Sequence, residues 1–168
     1  MKCTASWTPC LVLLFAACEV SAGEVNLPAN FVRDCEYYVG NWATDVEIEG
    51  TLYRGKWIAN WSPDKTCLVT HWAAETPNGP AKGTRVQGWD ALTKKMLVVD
   101  FGSDGTSTIE RYTITANQVS EGEISGAEPD GKPFKATARA EHKNPDYFIW
   151  TVTREGKATE YRFRRVKD

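Results

Sequence analysis

The sequence predicts an all-β protein in which about ten antiparallel strands form an up-and-down meander closed into a barrel, preceded by one short helix. Three observations support this fold class. The spacing of apolar residues changes from near 3.6 to 2 after Gly40, and turn signals then recur about every ten residues. The first strand begins with Gly40-Asn41-Trp42, and the last carries the basic cluster 161–165. A two-sheet β-sandwich is the alternative, because strand number alone does not separate the two folds.

The N-terminal segment is typical of an export signal. Lys2 precedes the apolar run 11–17, and Val20-Ser21-Ala22 ends in the small residues that a signal peptidase accepts. We therefore expect a signal peptide over residues 1–22, a single barrel domain over residues 23–168, and a periplasmic or extracellular location. The alternative is a membrane-anchored lipoprotein, since Phe15-Ala16-Ala17-Cys18 resembles a lipobox that would lipidate Cys18.

One helix is predicted from Ala29 to Val39. Its apolar residues Phe31, Val32, Cys35, Tyr38 and Val39 recur at helical spacing. Pro28 suits the first turn, and Gly40 stands where a left-handed residue often ends a helix. The pattern directs Cys35 toward the core.

Ten candidate strands follow, separated by short turns such as Pro77-Asn78-Gly79-Pro80, Asp104-Gly105 and Asn144-Pro145-Asp146. Consecutive strands joined by tight turns pair antiparallel. The predicted strands are Asn41–Glu49, Thr51–Trp61, Thr66–Glu75, Thr84–Trp89, Lys95–Phe101, Thr106–Ala116, Gln118–Ser125, Lys132–His142, Tyr147–Arg154 and Ala158–Val166.

Charge and cysteine content restrict the classes of partner and compartment. The net charge of −2, with acidic and basic residues interleaved, disfavours nucleic acid as a partner. No transmembrane span is predicted after the signal. Cys35 and Cys67 are the cysteines that remain after cleavage, so an oxidising compartment predicts a structural disulfide between them.

The first and last strands predict how the barrel closes. An arginine of the last strand can lie flat on the Trp42 indole and donate hydrogen bonds to nearby carbonyls. Arg162 and Arg164 are the two candidates, and both lie on the same face of the strand. We assign all three residues a structural role.

These residues also carry a family resemblance. A short helix leading into Gly40-Asn41-Trp42, the meander, and the terminal segment 161–164 resemble the calycin superfamily of lipocalins and fatty-acid-binding proteins. The segments 57–64 and 88–90 are similar to those of small exported bacterial lipocalin-like proteins. The resemblance covers residues 30–166 and implies a barrel with a cavity for a small apolar ligand.

Two groups of residues are candidates for lining such a cavity. Phe134, Ala136, Ala138 and Ala140 form a nearly all-alanine face that leaves space if it points inward. Trp57, Trp61, Trp72 and Trp89 could form aromatic walls. In both cases the alternative is a packed core, in which bulky residues such as Trp57, Trp72 and Trp150 fill the space.

Three further residues complete the predicted binding set. Arg111, beside Tyr112, would need a carboxylate from the protein or the ligand if it faced inward; otherwise it is an outward arginine paired across strands. His71 shares a face with Val69 and Ala73, which indicates a core histidine or an axial haem ligand.

The function predicted from these patterns is non-catalytic binding of a small, largely apolar molecule in the barrel interior. We expect no catalytic residues, no metal and no cofactor. One alternative is an enzyme in which Arg111, Tyr112 or His71 polarises an apolar substrate. The other is an envelope protein that acts through surface contacts around a filled barrel.

Overall fold

The described part of the chain forms a closed antiparallel barrel of ten strands with one helix before the first strand, as the sequence predicts. A computed structural model describes residues 26–115 and 119–167. The expected signal peptide, its cleavage site and Cys18 lie outside the described residues. Within these residues, none of the helical segments is long and apolar enough to cross a membrane.

The strands follow one another around the barrel in sequence order, and β1 pairs with β10 to close it. Helix α1 spans Ala29–Tyr38. The strands are β1 Gly40–Ile48, β2 Thr51–Trp61, β3 Cys67–Thr76, β4 Gly79–Asp90, β5 Lys95–Gly102, β6 Ser107–Ile114, β7 Val119–Ala127, β8 Pro133–Asn144, β9 Tyr147–Arg154 and β10 Lys157–Arg165.

The fourth strand begins earlier than the sequence predicts. Its register with β3 extends to the pair Thr76↔Gly79, so only Pro77 and Asn78 form the turn. Gly79 has a φ of 104°, a conformation that glycine adopts without strain. The Thr76 hydroxyl donates a hydrogen bond to the Gly79 carbonyl at 2.7 Å, which fastens this tight turn.

Helix α1 covers one end of the barrel, which we call the closed end. Its inner face buries Phe31, Cys35 and Tyr38, confirming the predicted orientation of Cys35. Phe31 contacts Trp61 edge-on at a centroid distance of 6.4 Å. The helix ends where Gly40 enters β1 with a φ of 116°, and a Cβ there would lie 3.0 Å from Arg165 Nη1. Glycine therefore permits both the turn and the approach of Arg165.

Trp42 and an arginine do join the strand ends, but the stacking partner is Arg165 instead of Arg162 or Arg164. The Arg165 guanidinium carbon lies 4.2 Å from the centre of the Trp42 ring. Trp42 pairs with Arg165 across β1 and β10, and both side chains face inward. Arg162 and Arg164 alternate with the inward residues and lie exposed, paired with Glu160 and Asp45.

The predicted disulfide is absent from the structure, in which Cys35 and Cys67 are both free thiols. The Cys35 sulfur instead accepts a hydrogen bond from Gln87 Nε2 at 3.3 Å. Burial raises the pKa of the Cys35 thiol to about 12, so this sulfur stays protonated. Cys67 is half-buried at the start of β3.

Candidate functional site

The interior of the barrel divides into a packed half and an open half. Side chains next to α1 fill the closed end, including Trp42 and Phe148. Phe163 stacks on Phe148 with ring centres 4.3 Å apart and forms the boundary with the open half. At the opposite end, where β1 meets β2 and β3 meets β4, the barrel holds a cavity of about 350 Å³. We call this space the open cavity.

The walls of the open cavity are mainly aromatic and aliphatic. They include Val46, Ile48, Tyr53, Trp57, Trp72, Trp150, Tyr161 and Phe163. These residues come from five different strands, and each occupies an inward position in the two-residue alternation of its strand. An apolar cavity of this size is within the range of sites for small organic molecules.

Trp72 has its position because the neighbouring strand carries a glycine. Its ring lies over Gly83 on β4, where a Cβ would be 2.4 Å from Trp72 Cζ2. The indole Nε1 donates a hydrogen bond to Asp100 Oδ1 at 2.9 Å. The ring therefore forms a wall of the open cavity while its polar edge holds a carboxylate.

A polar network forms the floor of the open cavity, where Arg85 binds Glu110 through two hydrogen bonds, at 2.6 and 3.2 Å. Thr108 and Tyr112 also donate to Glu110, at 3.1 and 2.8 Å. Trp150 Nε1 donates to the Tyr112 hydroxyl at 3.1 Å. Glu110 is thereby fully bonded although its side chain is only 2% exposed.

Asp100 is the second carboxylate of the floor and is less completely bonded. Besides the Trp72 bond, its Oδ2 lies 3.5 Å from Arg85 Nη1. Burial raises the pKa of Asp100, although Arg85 and Trp72 act to lower it. For Arg85, burial acts to lower the pKa, but the carboxylates of Glu110 and Asp100 outweigh this and hold the pKa above its ordinary value. The arginine is permanently charged.

Several of the residues predicted to bind ligand do line the open cavity or its floor. Trp57 and Trp72 form walls, and Tyr112 belongs to the floor network. The sequence did not indicate Arg85, Asp100 or Glu110. Alternation could have placed only Asp100 inside, because it follows the apolar Met96 and Val98 at two-residue spacing. Arg85 stands beside the apolar Val86, a pattern that predicts the opposite orientation for the arginine.

Other predicted residues lie elsewhere in the barrel. Trp61 and Trp89 pack against Phe31 beneath α1, at the closed end. His71 is exposed on the outer face, within 3.2 Å of the Thr84 hydroxyl. Arg111 is also exposed, in an outer groove with Glu123 and Lys135. Both face outward because their strands place the odd-numbered residue on the outer surface there.

The alanine face does point inward, but it belongs to the packed half. Ala138 is only 5% exposed and pairs with Gly122 on β7. The Tyr112 ring covers Gly122 so closely that a Cβ there would be 2.7 Å from Tyr112 Cδ1. The space left by the small residues of β7 and β8 is thus filled by the Tyr112 ring of the protein itself.

A second polar cluster lies beneath α1. His142 Nε2 is 2.9 Å from the Tyr38 hydroxyl and 3.6 Å from Asp34 Oδ1. Tyr37 stacks on the imidazole with ring centres 3.6 Å apart. Burial raises the pKa of Asp34 to about 7 and lowers the pKa of His142 to about 4, so both groups are neutral between these values.

Comparison with known proteins places the chain by fold. No family model matches it, and no curated protein matches it. The crystal structure of Rv2717c from M. tuberculosis is similar over 84% of this chain and 100% of that chain, with a TM-score of 0.54 and 15% identity. A redesigned β-barrel, mFAP1, bound to DFHBI, matches with a TM-score of 0.40 and 15% identity, over 80% and 99% of the two chains. The likeness to Rv2717c shows a shared barrel fold, and the closed meander agrees with the barrel that the calycin resemblance implies.

Proposed function

We propose that this protein binds a small, largely apolar molecule in the open cavity and performs no covalent chemistry on it. The observation that supports the proposal is the division of the barrel into a packed half and an open half. A protein interior is normally packed without voids of this size, because each void forfeits contacts between its walls. The open cavity of about 350 Å³ therefore suits a ligand that supplies the missing contacts.

The floor network supports a binding role over catalysis. Neither histidine of the chain lines the open cavity. Burial raises the pKa of Tyr112 well above its ordinary value, so its hydroxyl remains a hydrogen-bond donor to Glu110. Arg85 and Glu110 neutralise each other in a fixed geometry. The hydrogen bonds of these three groups are made to one another, as is usual for buried polar groups with a structural role.

We also propose that the protein is exported before it acts, on the strength of the apolar run and small residues in segment 1–22. N-terminal sequencing of the protein recovered from its native host tests this. Cleavage after Ala22 would support export as a free protein, and a lipidated Cys18 would support the membrane-anchored alternative. An uncleaved N-terminus would contradict both.

A cavity-blocking substitution tests the binding function. Ala74 lies inward on β3 and lines the open cavity, so Ala74→Phe should fill it. We expect binding of the uncharged fluorescent probe N-phenyl-1-naphthylamine to weaken about tenfold or more, with stability changed by less than about 1 kcal/mol. Ala43→Phe, on the exposed face of β1, is the matched control. Equal probe binding by the wild type and both variants would reject the proposal and favour a protein that acts through its surface.

A further inference from the structure

The two carboxylates of the cavity floor differ in how completely the protein satisfies them. An ionised carboxylate can accept about four hydrogen bonds. Glu110 receives four, two from Arg85 and one each from Thr108 and Tyr112. Glu110 therefore has no capacity left for a ligand.

Asp100 has capacity to spare. It receives one short hydrogen bond, from Trp72 at 2.9 Å, and a longer contact from Arg85 at 3.5 Å. Its side chain is 16% exposed and lines the open cavity. The unused lone pairs of Asp100 can accept hydrogen bonds from a molecule in this space.

The net charge of the cavity floor favours a ligand of one sign of charge. Arg85 carries one positive charge, and its two best hydrogen bonds go to Glu110. When both carboxylates are ionised, Asp100 leaves one negative charge uncompensated. A partly buried charge without a full counter-charge is costly, so a cation placed beside Asp100 would be stabilised and an anion would be repelled.

The walls around this charge favour a cation as well. Trp72 and Trp150 line the cavity beside the floor network. The faces of indole rings attract cations through their quadrupoles, most strongly where water is excluded. Arg85 already shows this preference, because its guanidinium lies 5.5 Å from the centre of the Trp150 ring.

We propose that the ligand of the open cavity is an amphipathic amine, with an apolar body against the aromatic walls and a protonated nitrogen that donates hydrogen bonds to Asp100. This inference rests on the proposed binding function and adds the chemical class of the ligand. It excludes a fatty-acid carboxylate bound to Arg85, since Glu110 occupies the hydrogen-bonding fork of that guanidinium.

The rim of the cavity provides a matched control. Glu75 precedes the β3–β4 turn at the mouth, and its side chain is exposed to water, as are those of Arg54 and Lys56 on the outer face of β2. Water and salt screen such charges, so they act weakly on a ligand that has entered. Glu75→Gln therefore removes one negative charge from the rim, whereas Asp100→Asn removes one from the floor and keeps an oxygen that can accept from Trp72.

Isothermal titration calorimetry with three probes of one ring system tests the inference. The probes are naphthalen-1-ylmethanamine, a cation at neutral pH, naphthalen-1-ylmethanol, which is uncharged, and 1-naphthoate, an anion. We expect the amine to bind the wild type and Glu75→Gln at least about tenfold more tightly than the alcohol, with naphthoate weakest. In Asp100→Asn the amine and the alcohol should bind within about twofold of each other.

The outcomes separate this inference from the function on which it rests. If the alcohol or naphthoate binds the wild type as tightly as the amine, or if Asp100→Asn keeps the preference for the amine, the open cavity binds ligands but the amine inference is wrong. If none of the three probes binds, the binding function itself is contradicted. The order of the three probe affinities in the wild type tests the preference for an amine even if Asp100→Asn does not fold.

Discussion

Arg165 shows at the scale of a single residue why arginine is needed where the barrel closes. Its guanidinium stacks on Trp42 and donates hydrogen bonds to the carbonyls of Val39, Tyr37 and Pro145, at 2.6, 2.7 and 3.2 Å. These carbonyls belong to the helix end and to the turn between β8 and β9. One planar side chain thus joins three segments that are distant in sequence.

Replacing Arg165 by lysine should reduce the free energy of unfolding by roughly 1 to 3 kcal/mol, because an ammonium group cannot stack flat and reach all three carbonyls. Urea denaturation measures this loss. Arg164→Lys is the control, since Arg164 is exposed and its ion pair with Asp45 contributes little. Equal losses in the two variants would contradict the role given to Arg165.

Asp34 and His142 give a prediction about pH. The raised pKa of Asp34 contributes stability that is fully present below 3.8 and is lost as pH rises through about 7. The lowered pKa of His142 contributes stability that is present above 6.5 and is lost as pH falls through about 4. Between about pH 4 and 6.5, the contribution of Asp34 to stability therefore falls as pH rises, and that of His142 increases.

Removing one of the two groups should reveal how the other changes stability with pH. Asp34→Asn leaves His142, so the stability of this variant should increase from pH 4 to 6.5. His142→Gln leaves Asp34, so its stability should decrease over the same interval. Chemical denaturation at a series of pH values gives both profiles. Two variants whose stability changes in the same direction with pH would show that these groups are not buried as the structure has them.

At the scale of elements, β7 and β8 supply small residues where β6 supplies a large one. Gly122 and Ala138 pair across the two strands, and Tyr112 occupies the space above them. Tyr112 in turn receives a hydrogen bond from Trp150 and donates one to Glu110. The packed half and the cavity floor are therefore connected through one ring.

Ala138→Phe should lower the free energy of unfolding by about 1 to 3 kcal/mol, because a second ring cannot enter space that Tyr112 already fills. Thr137→Phe, on the exposed face of the same strand, should have a much smaller effect. Thermal or urea unfolding of the two variants tests this. A stable Ala138→Phe protein that no longer binds an apolar probe would instead place the binding space at β8.

At the scale of the whole molecule, the barrel is closed by packing at one end and left open at the other. Helix α1 brings Phe31 and Tyr38 onto the closed end, where they meet the aromatic side chains of β2, β4 and β9. The strand ends on the opposite side have no such cover among the described residues. The position of the helix therefore decides which half of the barrel can receive a ligand.

The fold followed from the sequence because alternation and turn residues are local signals. The inward direction of Cys35 also followed from such spacing, whereas spacing grouped the alanines on one face without deciding that this face points inward. Alternation separates Arg165, which shares the face of Tyr161 and Phe163, from Arg162 and Arg164. The contact of Arg165 with Trp42 depends in addition on the register between β1 and β10, which local spacing does not report. The sequence pattern also did not indicate Arg85, Asp100 or Glu110 as interior residues. Their burial becomes favourable only when three strands bring the charges together.

The most direct test of the central claim, that the open cavity is a binding site, is a crystal structure of the protein soaked with 1-bromonaphthalene, with the bromine located by anomalous diffraction. The account predicts a bromine peak inside the barrel, between Trp72, Trp150 and Tyr161 and above the Asp100 floor. It also predicts that the peak disappears in Ala74→Phe. Bromine found only on the outer surface, or none in a barrel whose Trp72 and Trp150 have closed over the space, would contradict it.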